Sequence, residues 1–224
     1  MTGFTSDNWK DLAETWDAWF RGELKRPLMT VSFKGRDPER PEPPLPAKWF
    51  TSSYPPNVSA SSFVDRWDRD ISQQVFAGDA FPAVFPNFGP GIIAGFIGAQ
   101  VETAEDIVWF GPAHPAEITE LQFTSDPDNL WLRRVSDIRR EAASRWRGRV
   151  QVGMTDLGGS LDILASFRPG EQLLLDLYDH PQQVEKLLWQ THELWFHYFG
   201  LLDGLVRGSN PGYSCWAPIF SPQS

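Results

Sequence analysis

Short apolar runs of strand length alternate along this chain with longer runs whose apolar residues recur every three or four positions. That alternation constrains the fold most, because strand–helix–strand order implies a parallel sheet with helical crossovers. Residues 7–24 predict an amphipathic helix through Trp9, Leu12, Trp16 and Phe20, capped by Ser6 or Asp7 and stopped by Pro27. Residues 27–33 predict a buried strand. Residues 37–56 carry too many prolines for regular structure and predict a long loop, either lying on the surface or folded as a flap over a site. Phe63, Trp67, Ile71 and Val75 mark a second helix, and residues 80–85 a second strand that opens into the glycine-rich 87–91. Residues 101–109 and 117–123 are weaker segments. A helix follows from Asp126–Pro127 with Trp131, Val135, Ile138 and Ala142 as its stripe. Residues 150–154 predict the third strand. A short helix, the stretch 171–178 and a long helix capped by Asp179 or His180 lead to a fourth strand at 213–216.

The glycine fingerprint of a dinucleotide fold is missing: residues 156–163 read DLGGSLDI, not G-x-G-x-x-G. The better match is a (β/α)8 TIM barrel, which typically needs about 250 residues. The 224 residues here supply about four strands. The expectation is therefore a helical lead-in at 1–26 and the first half of a barrel over 27–224, truncated after about four strands.

Charge and composition exclude several partners. The net charge is −9, which argues against a phosphate backbone and hence against nucleic acid. No apolar run approaches the ~20 residues that span a bilayer. The N-terminus lacks the basic and apolar regions of a signal peptide, so a cytoplasmic protein with no membrane partner is expected. The single Cys215 makes neither an internal disulfide nor a multi-cysteine zinc site. His192 and His197 are five apart and share no helix face well, so they read as packing or surface residues.

In a barrel, ligands bind where strands end. VQVGMTDLGG, residues 150–159, runs from a strand straight into an acid and two glycines. Asp156 is thus the candidate catalytic residue, and Gly158 and Gly159 would let backbone approach a ligand. Asp162 is a candidate ligand contact or a helix cap. Arg36 follows the first strand and suits a carboxylate. Asn87 follows the second. Ser214, Cys215 and Trp216 close the fourth, with Cys215 either a nucleophile or a buried thiol.

Together these strand ends resemble the uroporphyrinogen decarboxylase family. PLMTVSFKGRD at 27–37 is similar to the family's P-V-W-F-M-R-Q-A-G-R-Y, keeping Pro27, Gly35 and Arg36. LGGSLDILAS at 157–166 is similar to its F-x-G-x-P-W-T-L-x-T-Y. YSCWAPIFSP at 213–222 is similar to its F-D-S-W-A-G-x-L-S-P, with Trp216, Ala217, Ser221 and Pro222 at matching spacings. The resemblance implies a barrel lyase for a small or tetrapyrrole-type substrate, with a homodimer compatible with that fold. The departures are specific. Ser32 stands at the family's first arginine, Ser166 at its tyrosine, and its catalytic aspartate has no counterpart near Asn87 or Gly89. The same superfamily includes zinc-dependent methyltransferases that work with a corrinoid protein. No cofactor is evident in this chain, and zinc would require ligands beyond Ser224. A third expectation is a non-catalytic ligand-binding barrel.

Overall fold

The computed structural model describes residues 4–104 and 106–222. Helix α1 (Ser6–Phe20) begins at a reciprocal cap: the Thr5 hydroxyl accepts the Asn8 N–H, and the Asn8 side chain accepts the Thr5 N–H. Thr5 therefore caps the helix, not Ser6 or Asp7. Its Trp9, Leu12 and Trp16 are buried against Phe81 and Phe220. The lead-in helix is thus packed onto both the middle and the end of the chain.

Strand β1 (Thr30–Lys34) pairs antiparallel with β2 (Gln74–Gly78). All five β1 residues are exposed, which corrects the buried strand expected there. Between the two strands lies helix α2 (Ala60–Ser72), capped by Ser59. The proline-rich stretch runs as a strap pinned to α2. Glu42 pairs with Arg66 and Arg69, and Arg40 pairs with Asp68. The sheet is anchored to α1 through Asp79, whose carboxylate takes the Arg26 guanidinium in two bonds (2.6 and 2.7 Å) and the Met29 N–H (2.8 Å). The Asp79 carbonyl also accepts the Trp16 indole N–H. The Arg26 guanidinium, with help from Met29 N–H, holds the Asp79 carboxyl below its usual range.

Next come β3 (Ala83–Val84), the short helix α3 (Ile93–Phe96), the antiparallel hairpin of β4 (Gln100–Thr103) and β5 (Val108–Gly111), helix α4 (Leu130–Trp146) and β6 (Gln151–Val152). Residue 105, within the expected segment 101–109, lies outside the described residues. Asn129 caps α4, accepting the Trp131 and Leu132 N–H groups. β6 returns parallel to β3 after this crossover. Helices α5 (Ser160–Ala165), α6 (Glu171–Asp179) and α7 (Pro181–Gly204) then lead back to residues 210–216, which lie alongside β6. Helix α5 is capped by Gly159 backbone, with no side-chain cap from Ser160 or Asp162. The main core gathers Phe96, Ile138, Ile163, Leu187, Tyr198 and Leu202 between α3, α4, α5 and α7.

Arg139 of α4 is buried in that core at 1% exposure. Its guanidinium donates to the Gly153 carbonyl (2.8 Å) and the Leu202 carbonyl (3.0 Å), tying the end of β6 to the end of α7. Burial pulls its pKa down to about 10.

The architecture is mixed helix and sheet. The described strands form three two-stranded sheets, and only β3–β6 is parallel. The four adjacent parallel strands expected of a half-barrel are not formed among them. β1 has turned onto β2 instead, because residues 74–78, of which Gln74 and Val75 had read as the tail of a helix, offer it an antiparallel edge. Among the described residues no helix is long and apolar enough to cross a membrane.

Candidate functional site: a cleft at two strand ends

Two adjacent chain segments set the site. Beyond β6, the Gly153 N–H donates to the Val84 carbonyl and the Met154 N–H to the Ser214 carbonyl, each at 2.8 Å. The run 212–214 is further stitched to β6 by side chains. The Gln151 amide donates to the Gly212 carbonyl (2.8 Å) and accepts the Gly212 N–H (3.3 Å). Asn210 does the same for Val152. Residues 151–154 and 212–214 therefore run side by side in the same direction. Thr155–Asp156 and Ser214–Cys215–Trp216 emerge together from their ends.

They line one cleft of ≈ 730 Å³. Its far wall is α7, which contributes Trp195, Phe196 and Phe199. The Trp195 and Phe199 rings stack at 5.3 Å with an 11° interplanar angle. The Trp195 indole N–H donates to the Gly158 carbonyl at 3.0 Å, fixing the aromatic wall to the turn after β6. Trp216, 72% exposed, and Phe196, 59% exposed, hold large apolar faces open to solvent. A wide, apolar concavity with a few polar groups is the usual form of a small-molecule site.

The polar groups sit on the strand-end side. Asp156 Oδ1 accepts the Gly158 N–H (2.9 Å), and the Asp156 carbonyl accepts the Ile92 N–H (3.0 Å). Asp156 Oδ2 has no partner among the described residues. Thr155 is 2% exposed, and its hydroxyl is unpartnered. The buried Ser214 hydroxyl is unpartnered too. Both oxygens are shielded from solvent, as are the unpartnered Ser52 and Ser53 hydroxyls elsewhere in the fold, so the cleft's apolar lining and Asp156, not these hydroxyls, mark it as a site. Among the described residues no lysine, arginine or histidine lines the cleft, and Asp156 is its one charged group.

A smaller cleft of ≈ 330 Å³ lies on the other side of the 214–216 run, against Thr30, Ser32, Gln74 and Phe76 of the β1–β2 sheet. Cys215, an exposed free thiol, stands on the ridge between the two.

The structure thus brings Asp156, Ser214, Cys215 and Trp216 together. It does not bring Arg36, Asn87 or Asp162 to them. The Arg36 N–H donates to the Gln73 carbonyl at the open end of the β1–β2 pair. The Asn87 side chain accepts the Gly89 N–H, and its carbonyl accepts the Thr51 N–H, so it shapes the loop after β3. Asp162 is exposed on the first turn of α5. Gly158 also has a role beyond the expected one. At φ +82°, a Cβ there would meet the Gly91 Cα at 2.7 Å, so the glycine permits close backbone packing while it also lines the cleft.

Thr155 and the three α7 aromatics were missed by the sequence reading. The signal was WFHYF at 195–199, which is denser in aromatics than one buried stripe requires. Among the described residues no three His, Cys, Asp or Glu side chains converge to hold a metal. No family model, no curated protein and no solved structure matches the chain.

Proposed function

We propose that this chain is a small-molecule-binding α/β protein, of the type that the resemblance to uroporphyrinogen decarboxylases implies, with its ligand in the cleft at 155–156 and 214–216. The observation that carries this reading is the convergence of the β6 end and the irregular 212–216 run, where the fourth strand expected at 213–216 is not formed, on one apolar cleft. Ligands of parallel α/β folds sit at such carboxyl ends. A half-barrel, a barrel enzyme and a cytoplasmic location belong to the same reading. The parallel β3–β6 pair, with 212–214 held alongside β6, supports it, whereas the antiparallel β1–β2 pair does not.

If the cleft is catalytic, Asp156 is its acid–base group. Its Oδ2, without a partner among the described residues, lies at an aromatic-lined cleft, where a carboxylate can hold a developing positive charge. Decarboxylation of a carboxylate-rich tetrapyrrole is the variant this lining favours least, since no cation is there to hold acetate or propionate groups. A zinc-dependent methyl transfer would draw its metal ligands from outside the described residues.

The test is a calorimetric and turnover comparison of the wild-type chain with Asp156→Asn and Trp216→Leu. Carbon dioxide released from uroporphyrinogen and lost in Asp156→Asn selects the lyase. Zinc-dependent thiol methylation selects the methyltransferase. Saturable binding without turnover, weakened by Trp216→Leu, selects the binding protein. Binding that Trp216→Leu leaves untouched moves the site elsewhere and overturns the reading.

A further inference from the structure

Resting on the assignment of the cleft as the ligand site, we infer that its ligand is an organic cation: a compact apolar body carrying an ammonium group that donates N–H. Three features of the lining converge on this chemistry. Among the described residues the only charge in the lining is the Asp156 carboxylate, which when ionised can only accept hydrogen bonds, and its Oδ2 has no partner among them. The Thr155 and Ser214 hydroxyls beside it are unpartnered but shielded, and since a hydroxyl both donates and accepts they add polarity without selecting a charge. An ammonium brings N–H donors to that carboxylate.

The walls fit the same ligand. Trp195, Phe199 and Trp216 present aromatic surface, and the negative face of an aromatic ring attracts a cation. The Trp195 indole N–H, which could have served an anion, is already spent on the Gly158 carbonyl. An anionic ligand would thus meet a carboxylate, ring faces and no counter-charge. The net charge of −9 acts in the same sense at long range, raising the local concentration of cations. An apolar neutral molecule would satisfy the walls but leave Asp156 Oδ2 with nothing to accept.

Three probes of one shape separate these cases: 2-naphthylmethylamine, protonated at pH 7, 2-naphthylmethanol, neutral, and 2-naphthylacetate, anionic. Each is titrated calorimetrically into the full chain and into Asp156→Asn. The ammonium should bind about tenfold or more tighter than the acetate, and Asp156→Asn should bring it down to the level of the alcohol. The alcohol should bind wild type and Asp156→Asn alike. Because Asp156 also holds the turn through Gly158, Trp216→Leu serves as a second variant at an exposed position. It should weaken the ammonium more than the acetate. Acetate binding as tight as ammonium, or an ammonium affinity indifferent to both substitutions, overturns the cation while leaving the cleft as a binding site. Failure of all three probes to bind overturns the cleft itself.

Discussion

The Asn210 side chain pairs with the Val152 backbone in both directions, its carbonyl accepting the Val152 N–H at 3.1 Å and its amide donating to the Val152 carbonyl at 2.9 Å. A side chain here does the work of a neighbouring strand. Val152 is 2% exposed, so neither group has water to fall back on. The same contact holds residues 212–216 beside β6 and so places Ser214 and Trp216 at the cleft.

Asn210→Ala leaves the Val152 N–H bare and its carbonyl with only the long Gln151 amide contact at 3.5 Å. The expected loss is about 2–4 kcal/mol, read from the urea midpoint, since each buried orphan costs roughly 1–3 kcal/mol. Asn210→Asp keeps the acceptor and loses the donor, and should fall between. A loss in Asn210→Ala no larger than that of an exposed substitution would remove the strand-mimic role.

Arg139 makes a different kind of tie. Arg139→Met orphans the Gly153 and Leu202 carbonyls but also relieves a buried charge. The net loss should be about 1–3 kcal/mol, smaller than two orphaned carbonyls alone would suggest. The sign with pH follows from the lowered pKa. The burial cost is already complete below about 10, so the loss should be equal at pH 6 and pH 8. A variant more stable than wild type would mean that desolvation outweighs both bonds.

Helices α1, α2, α4 and α7 were legible because Trp9, Leu12 and Trp16, or Val184, Leu187 and Leu194, repeat at helical spacing and are buried as that spacing demands. The β1–β2 pairing was not. Residues 27–33 concentrate Leu28, Met29, Val31 and Phe33, which reads as a strand to be covered although every residue of β1 is exposed, and Val75 fell in phase with the α2 stripe although it belongs to β2. At the site, Asp156 and 214–216 could be found from strand ends alone. Thr155 could not, because a hydroxyl without a partner is a property of three-dimensional neighbours. Trp195 falls in the apolar stripe of the long helix with Leu194 and Tyr198, and a cleft wall and a core stripe share one periodicity. Asp79 carried no local mark, since its partner Arg26 lies 53 residues away.

Asp79 should make the fold acid-sensitive. Its carboxyl is held below the ordinary 3.8 by Arg26, so its contribution to stability is complete above that value and is lost as pH falls through the lower folded value. Asp79→Asn removes the contribution. The gap in urea midpoint between wild type and Asp79→Asn should be constant from pH 5 to pH 7 and shrink below pH 4. A gap that widened on acidification would reverse the assignment.

The strap over 37–56 should loosen without global unfolding. Glu42 is an exposed partner of Arg66 and Arg69, and exposed ion pairs contribute little to global stability. Glu42→Ala should leave the urea midpoint unchanged yet speed limited proteolysis within the strap. Unchanged cleavage would mean that the prolines, not the ion pairs, hold it down.

The two adjacent glycines after Asp156 should respond oppositely to alanine. Gly158 sits at φ +82°, and its Cβ would lie 2.7 Å from the Gly91 Cα, a backbone atom that cannot step aside. Gly158→Ala therefore combines left-handed strain with a clash, and should cost about 2–4 kcal/mol. Gly159 has φ −84°, and its added Cβ would meet only the Asp162 carboxylate tip at 2.9 Å, which can swing into solvent. Gly159→Ala should stay within about 1 kcal/mol of wild type. Because the Gly158 carbonyl also holds the Trp195 indole, the Gly158 substitution should raise the solvent exposure of that tryptophan, seen as a red-shifted emission, while Gly159→Ala should not. Equal costs at the two positions would break the link between the Gly91–Gly158 contact and the shape of the cleft.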